Sequence, residues 1–188
     1  MISDFGMAMQ VPPTGAANAG RLNCRFKRGD PRFAPPETTL HDDPGFAVHG
    51  DNTDGFAADV WCLGVCLLNL MFGFEIFKLG YEQLGQPPHE VFTRMRDAQK
   101  RGENGVREAC SAFRYTAALS RFNRLDPSLQ SLLDSMLRVD PEARPTLAQV
   151  AEHSWVNGIP EPTAAPPAVD APQPRSLAAA PPAVDAPQ

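Results

Sequence analysis

The run Val60–Phe74, VWCLGVCLLNLMFGF, limits the possible folds more than any other part of this chain. It is interrupted only by Asn69 and is bounded by Asp59 and Glu75. At 15 residues it falls short of the roughly 20 that a membrane-crossing helix needs. A helix that is apolar on every side and too short for a bilayer takes the middle of a helical domain, with other helices packed round it.

Candidates for those neighbours follow in the sequence. Leu129, Leu132, Leu133, Met136 and Leu137 recur at i, i+3, i+4, i+7 and i+8, an amphipathic helix entered by Asp126 as N-cap with Pro127 in its first turn. Thr146 with Gln149 three residues later reads as a capping box, and Leu147, Val150 and Ala151 are expected to face inward. Val91, Phe92 and Met95 predict a helix between Pro88 and Lys100, and Val106, Cys110, Phe113 and Ala117 a fourth. No run alternates well enough to predict a sheet. The fold expected is mainly α, a helical domain from about residue 54 to residue 157 behind a long loop-rich segment.

Beyond this domain the composition changes. From Ile159 the chain turns to Pro and Ala, and the word AAPPAVDAPQ occurs at 164–173 and again at 179–188. With nine prolines and few large apolar side chains, residues 158–188 are expected to be a disordered tail acting as a spacer, since they bury too little surface to offset ordering entropy. The net charge of -5 gives no attraction for nucleic acid or an anionic membrane, so neither partner is expected. Cys24, Cys62, Cys66 and Cys110 form no C-x-x-C pair and are expected to be buried free thiols. The histidines show no metal-ligand spacing, and the first residues lack the basic start and apolar run of a secretory signal. An intracellular, cytoplasmic location is expected.

Four short signatures stand in order: Asp4-Phe5-Gly6, Ala34-Pro35-Pro36-Glu37, Asp59-Val60-Trp61 with Gly64, and Asp140-Pro141 followed by Arg144-Pro145-Thr146. With the closing His153-Ser154-Trp155, the set resembles the eukaryotic protein kinase family over residues 2 to about 157. Leu63-Gly64 after Trp61, together with the final H-x-W, resembles the serine/threonine branch. The resemblance implies the C-terminal lobe of the kinase fold at residues 1–157, with an activation segment at 4–37 and a helical subdomain at 54–157. It also implies ATP and Mg2+ as cofactors and a protein as substrate or partner.

Residue by residue, the resemblance makes Asp4 the Mg2+ ligand; read alone, Asp-x-Gly is also an ordinary turn. Glu37 and Arg144 are implied to pair, tying the activation segment to the helical base, a task suited to the two-pronged guanidinium grip on a carboxylate. Asp59 resembles the family aspartate that accepts backbone N–H groups of the catalytic loop; the simpler alternative is a helix N-cap. Trp61 and Asp59 are structural in this reading, and no catalytic set is complete.

The 188 residues contain no Gly-rich phosphate loop, no strand lysine with its partner glutamate and no H-R-D catalytic loop. N-lobe and catalytic loop are therefore expected to be absent, ATP and Mg2+ to bind poorly, and the chain alone to be inactive. In the complete family domain a helix preceding the catalytic loop partly encloses the central apolar helix, so one wall of that helix is expected to lie open. Asp30 stands where serine/threonine kinases offer a hydroxyl. Thr14, followed by Arg21, Arg25, Lys27 and Arg28, is the one hydroxyl between Gly6 and Gly29, a possible phosphosite or part of a solvated basic loop. Insertions near His41–Thr53 and Glu103–Arg124 depart from the family pattern without an inferred function. Two functions follow: a serine/threonine protein kinase present as a C-lobe fragment, or a non-catalytic, kinase-derived scaffold.

Overall fold

The computed structural model describes residues 21–23, 32–40, 52–73, 77, 88–112 and 116–158. The Pro/Ala tail from residue 159, together with Asp4, Thr14, Cys24 and Asp30, lies outside the described residues.

Asp54 and Gly73 fix the ends of the central helix α2, Gly55–Phe72. The Asp54 carboxylate accepts hydrogen bonds from the N–H groups of Phe56 at 2.9 Å and Ala57 at 3.2 Å, satisfying two of the helix's orphan donors. Gly73 takes φ 73°, a left-handed turn that stops the helix without a Cβ penalty. The helix starts ahead of the apolar run and, at 18 residues with mean hydropathy 1.7, is long and apolar enough to cross a membrane by length and composition. The expectation that it is too short is thereby corrected. Its packing is that of a core helix: Trp61, Val65, Leu68 and Phe72 are at most 2% exposed and join one hydrophobic cluster with residues from the helices that follow.

Those helices are α3 (Pro88–Lys100), α4 (Gly105–Ala112), α5 (Thr116–Phe122) and α6 (Pro127–Met136). A short helix α1 (Pro36–Thr39) precedes α2; a 3-10 turn (Pro141–Ala143), α7 (Leu147–Ala151) and α8 (Ser154–Asn157) close the domain. Val91, Phe92 and Met95 of α3, with Val106 and Cys110 of α4, are buried as their spacing predicts. The single helix expected through Ala117 is described as two elements, Gly105–Ala112 and Thr116–Phe122, and Phe113 lies outside the described residues. Ala118 and Phe122 face the core while Ala117 is exposed.

Helix α6 begins as its sequence predicts, with Asp126 accepting from the Ser128 N–H at 2.8 Å. Gly64 lets it approach α2: a Cβ there would lie 3.0 Å from Leu137 Cδ2 and 3.1 Å from Met136 Cβ. The Thr146–Gln149 capping box is present. Of its three expected inward residues only Val150 is buried; Leu147 is 51% exposed and Ala151 is also exposed.

Two elements have no signal in the sequence. Strands β1 (Arg21–Asn23) and β2 (Asn52–Asp54) pair antiparallel, with Arg21 opposite Asp54 and Leu22 opposite Thr53. Three residues are too few for alternation to show. A polar clip also joins α3 to the end of α6. Gln99 Nε2 donates to the Leu137 carbonyl at 3.0 Å, and Gln99 Oε1 accepts the Val139 N–H at 3.0 Å. Asp134, 7% exposed, accepts the Gly105 N–H at 2.7 Å and pairs with Arg138 at 3.0 Å.

Candidate functional site

The most constrained polar cluster among the described residues is built around Arg144. Asp140 caps the 3-10 turn by accepting the Glu142 N–H at 3.0 Å, and Pro145 biases the preceding Arg144 toward the extended backbone it adopts, φ -77° and ψ 144°. This geometry directs the guanidinium under α2. On the opposite side Pro36 opens α1, where its missing N–H costs nothing, and Glu37 follows in the first turn.

The two side chains meet across 107 residues of sequence in a bidentate pair, Nη1 to Oε1 at 2.8 Å and Nη2 to Oε2 at 2.7 Å. Their side chains are 0% and 5% exposed. The remaining guanidinium donors are used as well: Nε donates to the Arg138 carbonyl at 2.7 Å, Nη1 to that of Ala57 at 3.0 Å and Nη2 to that of Val139 at 3.3 Å. A buried charge survives in a core only when paired and hydrogen-bonded in this way. One cation thus joins α1, α2 and the 3-10 turn.

Trp61 forms the wall. Its ring lies 5.0 Å from the Arg144 guanidinium carbon, stacks on Phe77 with centroids 6.2 Å apart and meets Phe92 edge-on at 5.7 Å. One residue on, Cys62 Sγ donates to the Phe33 carbonyl at 3.4 Å, a second tie between α2 and the 32–40 segment. Burial, with the Asp59 charge adding to it, pushes the Cys62 thiol up to about 11. Burial alone pushes Cys110 up to about 12. Cys66 is exposed, against the expectation that every thiol is buried.

Asp59 is not the N-cap of α2; Asp54 holds that position and Asp59 sits in the second turn, exposed. Partial burial among apolar neighbours raises its carboxyl above the usual range. Beside it, Phe56, Leu63 and Leu70 are exposed, so the helix is open on one side. His153 caps α8, its Nδ1 accepting the Trp155 N–H at 3.2 Å.

The structure therefore brings together Glu37, Arg144 and Trp61 and leaves Asp59 outside their cluster, while Asp4 and Thr14 lie outside the described residues. Sequence reasoning missed the carbonyls of Ala57, Arg138 and Val139, which carry no side-chain signal, and the Gln99–Asp134 clip, whose polar residues take no part in the apolar spacing that marks the helices. A shallow cleft of about 380 Å3 adjoins Arg144 and His153, and another of about 290 Å3 lies between Glu103, Arg107 and Leu119. Among the described residues no three His, Cys, Asp or Glu side chains converge as a metal site.

A family profile for the protein kinase domain matches residues 1–156. The chain is 28% identical over 165 residues to the human serine/threonine-protein kinase STK11, covering 88% of this chain and 30% of that protein. It is 28% identical over 154 residues to the Xenopus laevis protein of that name, with 82% and 27% covered. It is 30% identical over 162 residues to the serine/threonine-protein kinase par-4 of Caenorhabditis elegans, with 82% and 19% covered. The chain thus spans less than a third of the length of these relatives. No solved structure matches it significantly. A family match over most of the chain and kinase relatives of one branch lead to one conclusion: the chain belongs to the protein kinase domain family, in its serine/threonine branch.

Proposed function

We propose that this chain is the C-lobe part of an ATP-dependent serine/threonine protein kinase, in which residues 54–157 form the platform and residues 4–37 the activation segment, and that the 188 residues by themselves do not transfer phosphate. The observation that carries the reading is the buried Glu37–Arg144 pair, which ties the end of that segment to the helical base. Such a tie fixes where the segment stops, and so where a bound protein substrate would meet the platform. In this reading Asp4 holds Mg2+, which supplies fixed positive charge against the phosphates when bound; Asp59 and Trp61 are structural and Thr14 is the candidate phosphosite.

Phosphoryl transfer depends almost wholly on positioning and electrostatics. One metal ligand without the glycine loop, the strand lysine and the catalytic loop leaves both unsupplied. Asp30, an acid where the branch normally offers a hydroxyl, favours the second reading, a non-catalytic scaffold that binds a partner protein, because it would repel a neighbouring catalytic carboxylate. Titration calorimetry of the full chain with MgATP tests the proposal. No heat of binding up to millimolar nucleotide is expected; micromolar affinity that Asp4→Ala abolishes would overturn it.

A further inference from the structure

Two side chains hold the connection that leaves α6. Leu137 ends the helix, and its carbonyl, one of the orphan acceptors there, receives Gln99 Nε2 at 3.0 Å, while Gln99 Oε1 takes the Val139 N–H at 3.0 Å. From the other direction Arg144 Nε donates to the Arg138 carbonyl at 2.7 Å and Nη2 to the Val139 carbonyl at 3.3 Å. The Arg138 carbonyl and the Val139 N–H belong to one peptide unit, which is planar and points the two groups in opposite directions. Gln99 in the last turn of α3 and Arg144 at the end of the 3-10 turn therefore grip one rigid plate from opposite edges.

Tilting that plate to lengthen one bond swings the other group away from its partner as well. The guanidinium is a planar fork, so the bond at Nε also aims Nη1 and Nη2, which close on Glu37 Oε1 and Oε2 at 2.8 and 2.7 Å. The corner between α3 and α4 enters the same arrangement through Asp134, whose Oδ1 accepts the Gly105 N–H at 2.7 Å and whose Oδ2 pairs with the Arg138 side chain at 3.0 Å. Among the described residues the hydrogen bonds of the Gln99 side chain go to Leu137, Val139 and Asp134, and none goes to residues 32–40. We propose that the Arg138–Val139 peptide couples the α3–α4 corner to the 32–40 segment, with Gln99 as a positioning residue for the Arg144 guanidinium. The coupling belongs to the platform itself and does not depend on whether residues 32–40 end an activation segment.

Hydrogen exchange of the full chain, resolved by NMR, tests this at amides that Gln99 does not bond. The N–H groups of Thr38, Thr39 and Leu40 donate to the carbonyls of Pro35 and Pro36, so their protection reports how firmly the segment is held. Gln99→Met keeps the side-chain length and removes both bonds to the 137–139 backbone; the amides at 38–40 are expected to exchange about tenfold faster, within the range of ordinary couplings. Val106→Ala, which loosens the α4 core at a fully buried site without touching the peptide, is expected to leave them within about twofold of the parent. Coupling is reciprocal, so Glu37→Gln is expected to speed exchange of the Val139 N–H, the group that Gln99 holds. Circular dichroism checks that each variant retains its helices. Unchanged amides at 38–40 in Gln99→Met would overturn the proposal, as would equal acceleration in Val106→Ala or an unaltered Val139 N–H in Glu37→Gln. Should Gln99→Met fail to fold, the Glu37→Gln arm, which leaves Gln99 in place, decides alone. None of these readouts depends on phosphotransfer, so failure here leaves the kinase reading untouched.

Discussion

Removing either half of the Arg144–Glu37 pair tests how the 32–40 segment is held, and the geometry predicts unequal effects. Glu37→Ala leaves the guanidinium buried with three carbonyl acceptors, from Ala57, Arg138 and Val139, and with the Trp61 face. Arg144→Ala leaves a carboxylate that is 5% exposed without its bidentate partner and strips the same three carbonyls of their donor. Breaking a buried pair costs about 3–5 kcal/mol. The glutamate variant is expected near the lower end and the arginine variant near the upper end. The double variant removes both charges at once, so its cost should fall short of the sum by about 2–3 kcal/mol. Urea denaturation at neutral pH, followed by helical circular dichroism, gives all corners of the cycle. Where a variant is too unstable to measure, Glu37→Gln keeps one acceptor and retains a transition. Additive losses, or an arginine variant milder than the glutamate variant, would refute the reasoning.

Other outcomes follow from single contacts. Gly64→Ala sets a methyl against Leu137 and Met136 and should cost about 1–3 kcal/mol in the same assay. Gln99→Leu removes the acceptor of the Val139 N–H and the donor to the Leu137 carbonyl, leaving two polar groups unpaired at about 1–3 kcal/mol each. Asp59 has its carboxyl raised by burial, so the folded state holds its proton more tightly than the unfolded chain. The resulting penalty is full above the folded value and fades as pH falls to the ordinary range near 3.8. Asp59→Asn should raise the urea midpoint at pH 7, with the gain shrinking toward pH 4. With Cys62 pushed up to about 11 and Cys110 to about 12, thiol alkylation of the described cysteines at pH 8 should leave both unmodified until the protein unfolds.

Elements with a strong local cause were the most legible in the sequence. Asp126 with Pro127, and Thr146 with Gln149, announce helix starts because caps use side chains next to the backbone they satisfy. The apolar run announces a helix, although its true start lies at the earlier cap, Asp54, and it is the packing of Trp61, Val65, Leu68 and Phe72 that makes it a core helix. The division into α4 and α5 was not legible, since Val106, Cys110 and Ala117 fit one helical phase whereas Ala118, not Ala117, is buried. The exposed Cys66 could not be read either: composition gives the apolarity of α2 but not which of its sides has a neighbour. At the candidate site the pairing of Glu37 with Arg144 was available only from family resemblance, because no local rule links residues 107 apart. The three carbonyls that complete the guanidinium's bonding follow from backbone path alone.

The most direct test of the proposed function is turnover of labelled ATP by the purified 188-residue chain with a generic protein acceptor and Mg2+. The expected result is incorporation no greater than that of the Asp4→Ala variant, with the helical platform intact by circular dichroism. Sustained transfer to serine or threonine that Asp4→Ala eliminates would contradict it, because one metal ligand on this platform would then suffice for catalysis.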